Sequence, residues 1–410
     1  MSNYGINFVF GNLNPRGGGE RLTLVTMRST LNAGIKSFDL TTLYRPDMAQ
    51  RVKSFGGKLS SVMRNLRRVY IISITDYIEK SSLATSRSFK KEYVTINTHG
   101  DKIPYYNPDM TKDNSIIYCH YPTAMHQIQR RAVEYLEIDL NIRTTKEVKT
   151  NNDDYAMKMS NNYPSKKDSN KTQDIFKLLS RAYTNLIDKS TVLTNSEFSR
   201  KAILSAFPSS QIQILYPPVD VDIFRSQSLE SIERKDIILV ISRFDSAKQI
   251  KKALSLARIL KKRNIGTHML IVGSLIHANT AYFHFLGNLI KEWDIDNYVI
   301  LKPNASLDEL FKIIRRAKIY FHPKSGEHFG ISIAESMAAC LAPIVPNIGG
   351  QTEFVPQKFH FKSQNEAADL VSELFLLSCP ERRQISDSVT RFSTSNYIKK
   401  FQKLLSEKLR

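Results

Sequence analysis

Cysteine and tryptophan are scarce in this sequence. Its 410 residues include three cysteines, Cys119, Cys340 and Cys379, and one tryptophan. The cysteines lie far apart and fit no zinc spacing. So sparse and odd a set argues against a disulfide framework and for a reducing compartment. No apolar run approaches the ~18–20 residues needed to cross a bilayer. The opening residues, MSNYGINFVFGNLNPRGGGE, lack the basic start and apolar core of a secretory signal. A cytoplasmic protein is expected, free or resting on the cytosolic face of a membrane. Zinc-finger, ribonucleoprotein and basic-zipper motifs are all missing, so nucleic acid is not an expected partner. No internal repeat suggests a solenoid.

Acidic residues are also in deficit. Fifty-nine basic side chains face 39 acidic ones, a formal charge of +20. The surplus is spread over both halves of the chain, but residues 51–70, RVKSFGGKLSSVMRNLRRVY, hold six basic residues and no acid. Leu59, Val62, Met63, Leu66 and Val69 follow helical spacing there. Two readings stay open: a core-facing helix with a solvated basic face, or a surface helix that meets anionic lipid.

The length implies two domains. Strand-like YGINFVF, the loop GNLNPRGGGE and helix-like RLTLVTMRSTLNAG form the first unit of a doubly wound α/β domain. Further strands are expected at 69–74 and 115–121, and residues 190–207 read as a strand, a turn and a helix. Ser196 is placed to cap the helix that follows. Residues 144–173 are polar, without a periodic apolar face, and read as an insert. ILYPPVDVDIF (214–224) reads as a stiff connection. Strands expected at 235–242, 267–274, 296–303, 317–323 and 341–350 then alternate with helices, one of them at 248–264. That pattern describes a second parallel sheet covered on both faces. The expected domains are 1–214 and 215–390, with a final helix at 391–410.

Three loops could carry chemistry. Gly17, Gly18 and Gly19 lie between a strand and a helix, where amides can approach a phosphate. They match neither a Rossmann G-x-G-x-x-G nor a P-loop. In ISRFDSAK, Arg243 and Lys248 follow a strand of the second domain and suit a diphosphate. In SGEHFGISIAES, Glu327 lies in a loop, Gly330 and Ile331 open a helix, and Glu335 lies within it. A helix start favours an anion, and carboxylates accept hydrogen bonds from sugar hydroxyls.

EHFGISIAE resembles the E-x7-E signature of glycosyltransferase family 4, retaining enzymes of the GT-B fold with two Rossmann-like domains facing across a cleft. ISRFDSAKQIKKAL, IGGQTEFV and the terminal RFSTSNYIKKFQKLL resemble further segments of that family. GGGERLTLVTMRSTL and IYCHYPTAM resemble the α-1,2-mannosyltransferases that extend dolichol-linked oligosaccharides. The resemblance implies a metal-independent hexosyltransferase with no cofactor, using a nucleoside-diphosphate sugar (GDP-mannose favoured) and a lipid-linked or other glycan acceptor. It implies that Glu327 holds the transferred sugar and Glu335 the nucleotide ribose. Arg243 and Lys248 would neutralise the diphosphate, and Gly17–Gly19 with the Gly330 and Ile331 amides would complete its cradle. His120 would stand near donor sugar and acceptor, and Ser196 would line the cleft. Asp153 and Asp154 are expected to be solvated. Ala247 replaces an acid common in the family, and Cys340 replaces a glycine. The left-handed cap that such a glycine allows disfavours cysteine, so a differently built turn is expected there. A soluble sugar acceptor, a non-catalytic sugar-nucleotide sensor and a polyanion-binding scaffold stay open as alternatives.

Overall fold

The structure, a computed structural model, describes residues 5–71, 93–100, 115–122, 187, 189–208, 210–227 and 233–409. The polar insert 144–173, with Asp153 and Asp154, lies outside the described residues.

Two parallel sheets organise the chain. The first holds β1 (Gly5–Val9), β2 (Phe38–Thr42), β3 (Leu66–Ile71), β4 (Tyr93–Asn97), β5 (Ser115–Tyr118), β6 (Thr191–Thr194) and β7 (Ile212–Ile214). Their spatial order is β3-β2-β1-β4-β5-β6-β7. The second holds β8 (Lys235–Ile241), β9 (His268–Gly273), β10 (Val299–Pro303), β11 (Ala317–Phe321), β12 (Ala342–Pro346) and β13 (His360–Phe361). Its order is β10-β9-β8-β11-β12-β13. Ile237 to Val240 are buried in succession, as expected of a strand covered on both faces. In each sheet the strand order reverses beside the first strand, between β1 and β4 and between β8 and β11. Loops leaving the carboxyl ends of those strands border a crevice, the usual ligand position in such sheets.

The chain crosses between sheets twice. Leu215 packs into the first core, whereas Val219 and Phe224 pack into the second. The return crossing lies beside it: the Val219 amide donates to the Phe392 carbonyl at 2.9 Å, and the Thr394 amide to the Val219 carbonyl at 3.1 Å. Thr394–Lys408 is a helix that inserts Tyr397, Phe401 and Leu405 into the first core. Each such buried side chain stabilises by roughly 1.5–3 kcal/mol, so this helix is an integral part of the first domain.

Two expectations need correction. Residues 51–70 are not one helix. Asp47 caps a short helix, Met48–Phe55, by accepting from the Ala49 and Gln50 amides. Gly56, at φ 76°, ends that helix. Gly57–Ser60 and a 3-10 turn at Ser61–Asn65 follow, and Leu66–Ile71 is the edge strand β3. The Gly56-Gly57 pair breaks the helical period, and β-sheet pairing with β2 captures Leu66 and Val69. The second correction concerns Cys340, which does adopt the left-handed conformation, φ 64°. Its amide donates to the Met337 carbonyl at 2.9 Å, and that of Leu341 to the Ser336 carbonyl at 3.0 Å. That pattern is a Schellman cap with cysteine in the glycine position.

Candidate active site

Two loops of the second domain converge on one carboxylate. β11 ends at Phe321, and the loop beyond it carries His322, Lys324 and Glu327. β8 ends at Ile241, and the loop beyond it carries Arg243 and a 3-10 turn, Ser246–Lys248. Asp245 caps that turn, and the left-handed Gln249 separates it from the helix Ile250–Lys262. Lys248 therefore sits in the turn rather than on the helix expected from 248. Lys248 Nζ reaches Glu327 Oε2 at 2.8 Å, with side chains 23 % and 13 % exposed. His322 Nε2 stands 3.5 Å and Lys324 Nζ 3.9 Å from the same oxygen. Burial alone would raise the Glu327 carboxyl, but His322, Lys248 and Lys324 outweigh it and hold it well below the usual carboxylate range. Glu327 is thus ionised at neutral pH. Arg243 is exposed and acts electrostatically on Lys324. Arg243, Lys248 and Lys324 gather around Glu327, with Asp245 also acting on Lys324, and this cluster of cations suits an anionic diphosphate.

The remaining residues of Glu-His-Phe-Gly point elsewhere. The His328 ring stacks on Tyr121 of the first domain, centroids 4.4 Å apart and planes 3° from parallel. Burial, then the Lys324 charge, lower the His328 imidazole to about 4, so it is neutral. Phe329 enters an aromatic cluster at the crossings, 5.1 Å from Phe392 and 4.9 Å from Phe354. Gly330, at φ 97°, starts the helix Ile331–Ala338. Glu335 lies in that helix and is partly buried; burial raises its carboxyl, and Arg21 and Arg16 of the first domain pull it back.

From the first domain comes the glycine loop. Gly17 precedes the helix Gly18–Asn32 with extended backbone. A Cβ on Gly18 would lie 2.7 Å from Ile331 Cδ1, so the loop abuts the helix start of the other domain. A Cβ on Gly19 would lie 3.8 Å from His120 Nε2. That nitrogen donates to the Thr98 carbonyl at 3.0 Å, just past β4. The structure therefore brings Gly18, Gly19, His120 and Ile331 together at the switch point of the first sheet. Ser196 is engaged differently. It caps the helix Glu197–Ala206 through the Ser199 amide and donates to the His328 carbonyl at 2.5 Å. With its side chain fully buried, it joins the domains rather than facing open space.

Sequence reasoning passed over four side chains. Lys324 and His322 crowd Glu327. Tyr121 stacks on His328. Arg21 forms an ion pair with Asp220 and donates to the Pro218 carbonyl at 3.2 Å and to Thr394 Oγ1 at 3.0 Å. Only Arg21, adjoining the glycine loop in GGGER, carried a signal. Among the described residues, no group of three or more His, Cys, Asp or Glu side chains is placed to hold a metal ion. Nor is any helix among them long and apolar enough to cross a membrane.

Comparison with known proteins adds a family and a fold. Residues 222–390 match the family described as Glycosyl transferases group 1. A GDP-Man:Man(3)GlcNAc(2)-PP-Dol alpha-1,2-mannosyltransferase of Dictyostelium discoideum is 30% identical over 47% of this chain and 41% of its own length. The alpha-1,3/1,6-mannosyltransferase ALG2 of Rhizomucor pusillus is 26% identical over 41% of this chain and 45% of its own. The chain thus spans less than half the length of these relatives. Among solved structures, the sucrose-phosphate synthase of Thermosynechococcus elongatus superposes with a TM-score of 0.66 over 99% of both chains, at 13% identity. Anabaena Alr3699/HepE, solved in complex with UDP and glucose, gives 0.62 over 98% of this chain and 100% of that one, also at 13% identity. The protein accordingly has the GT-B fold, and its residues 222–390 match the glycosyl transferases group 1 family.

Proposed function

We propose that the protein is a retaining hexosyltransferase that moves mannose from GDP-mannose to a lipid-linked glycan. The observation that carries this reading is the Lys248–Glu327 contact at the second switch point, set among Lys324 and Arg243 and next to the domain boundary. Fixed cations stabilise the charge that grows on a departing diphosphate as the sugar becomes oxocarbenium-like. Lys248 and Arg243 take that role, with Lys324 added. Glu327, ionised and rigidly held, accepts from the sugar hydroxyls. Glu335 accepts from the ribose, and Gly17–Gly19 and the Gly330 and Ile331 amides approach the phosphates. His120 faces the transferred sugar from the first domain. The names of both relatives, a GDP-Man:Man(3)GlcNAc(2)-PP-Dol alpha-1,2-mannosyltransferase and an alpha-1,3/1,6-mannosyltransferase, support the sugar and the acceptor class.

A membrane-surface site for the acceptor is supported by the outer corner of the first sheet. Tyr44, Met48, Val52 and Ile71 are 39–50 % exposed on the segments that run from β2 to the end of β3, which also carry the exposed Arg45, Arg64 and Arg68. Apolar side chains flanked by arginines suit an anionic bilayer.

A thermal-shift panel of GDP-, UDP- and ADP-sugars tests the donor, because a specific ligand stabilises by mass action. GDP-mannose is expected to raise Tm most, and to be consumed when a dolichol-linked glycan is added. A larger shift with a UDP-sugar would reassign the base. No shift with any sugar nucleotide would overturn the reading.

A further inference from the structure

We infer that His322 is a positioning residue for Glu327, held as the Nε2–H tautomer by that carboxylate on one side and by a hydroxyl relay through Tyr320 and Ser332 on the other. This inference rests on the donor-binding roles just proposed for Glu327 and Lys248.

His322 follows β11 and is 4 % exposed. Its Nε2 is a buried polar atom without a hydrogen-bond partner among the described residues, and it stands 3.5 Å from Glu327 Oε2. A buried nitrogen left beyond bonding distance is costly unless the working state gives it a partner. The other face of the ring is fully engaged. His322 Nδ1 lies 3.2 Å from the Tyr320 hydroxyl, which lies 2.8 Å from Ser332 Oγ. Burial, the largest influence, lowers the His322 imidazole and keeps it neutral; Glu327 opposes that effect, while Lys248 and Lys324 add to it. A neutral ring carries one proton. Placed on Nε2, that proton faces an ionised carboxylate; placed on Nδ1, it leaves a lone pair there. The carboxylate selects the first arrangement. Nδ1 then accepts from Tyr320, whose buried hydroxyl is held protonated and stands nearer to Nδ1 than to the Ile241 carbonyl, 3.5 Å away, and Ser332 donates to the Tyr320 oxygen.

The consequence concerns Lys248. Lys248 holds Glu327 Oε2 at 2.8 Å, yet a bound diphosphate competes for the same ammonium. As Lys248 turns toward phosphate, Glu327 loses its nearest partner while it must orient a sugar. His322 is the neutral donor already aimed at that oxygen, able to close a gap of a few tenths of an ångström. Being uncharged, it holds the carboxylate without competing for the diphosphate.

The test uses the full chain with His322→Gln, His322→Asn and Tyr320→Phe. A glutamine amide reaches the Nε2 position; an asparagine amide reaches only the Nδ1 position. Steady-state kinetics with GDP-mannose and Kd for GDP are measured beside Tm. His322→Asn is expected to lower kcat by roughly 10- to 100-fold, as misplacement of a reacting group does, with GDP affinity within about twofold of wild type. His322→Gln is expected to regain most of kcat, and Tyr320→Phe to fall between. An unchanged kcat in folded His322→Asn overturns the inference alone. So does a GDP affinity that falls in step with kcat, or a folded His322→Gln no better than His322→Asn. If His322→Asn does not fold, Tyr320→Phe decides: kcat equal to wild type overturns the inference. Wild-type protein that neither binds nor turns over any sugar nucleotide overturns the functional reading, and the inference with it.

Discussion

A Cβ on Gly350 would lie 1.9 Å from the His328 carbonyl oxygen, the atom that receives the Ser196 hydroxyl from the first domain. The Gly350 amide also donates to the Glu327 carbonyl at 2.7 Å. Two backbones meet there with no room for a methyl group. Gly350→Ala must therefore push the 327–328 backbone away from Ser196. Overpacking of this kind costs roughly 1–3 kcal/mol. A lowered Tm together with a weaker response to GDP-mannose is expected; a Tm equal to wild type would show that the junction gives way freely.

Lys248 and Glu327 should behave as one unit. Removing either takes from the other its nearest opposite charge, leaving Glu327 with Lys324 and His322 or leaving Lys248 beside Lys324, whereas removing both does not. Lys248→Met and Glu327→Gln are each expected to abolish transfer. Their stability effects should be non-additive, with a coupling of about 0.5–3 kcal/mol in a denaturant double-mutant cycle. Additive losses would mean that the contact does not persist in solution.

Acid sensitivity should trace partly to His328. Its imidazole is at about 4 in the fold against 6.5 unfolded. The unfolded chain therefore takes up a proton at higher pH than the folded one, and stability falls as pH drops from about 6.5 toward about 4. His328→Phe keeps an aromatic ring against Tyr121 but cannot titrate. Its Tm should fall less than that of wild type between pH 7 and 5. Glu327 contributes in the same direction lower down: its depressed carboxyl stabilises the fold above the usual carboxylate range, and that contribution disappears as pH falls through its folded value.

Glu335 has the opposite sign. Burial raises its carboxyl, so the ionised form at neutral pH opposes folding. Glu335→Gln is expected to leave Tm at pH 7.5 unchanged or higher while weakening nucleotide binding. A clear loss of stability would point to a structural role instead.

Membrane binding can be tested without unfolding the first sheet. Arg67 must be spared, because its guanidinium holds the fully buried Asp39 through two bonds of 3.0 Å. Flotation with anionic vesicles at low salt should decrease for Arg64→Ser/Arg68→Ser and recover little on further lowering of salt. Equal flotation of wild type and variant would remove this surface from consideration.

The second sheet could be read almost directly, because β8, β9 and β11 are continuous apolar runs. β2 was not foreseen. Asp39, Thr41 and Thr42 are buried there, and their hydrogen bonds within the fold hide them from a hydrophobic pattern. The 51–70 segment misled because Leu66 and Val69 fit a helical period by chance while the sheet edge claimed them. Glu327, Gly330 and Glu335 could be picked out by their spacing. His322 could not, since a histidine at the end of an apolar strand looks like an ordinary core residue. What distinguishes it is the distance to Glu327, which only the folded chain defines.

Arg21 ties the glycine loop to the crossings between the sheets. Through Pro218, Asp220 and Thr394 this single guanidinium grips both strands of chain that join the domains. It also lies two residues beyond Gly19 on the same helix. The two crossings between the sheets and the loop proposed to approach the phosphates are thus tied to one helix. A change at Arg21 therefore reaches both crossings and the start of the glycine-loop helix at once, so substitutions at these places should not be energetically independent.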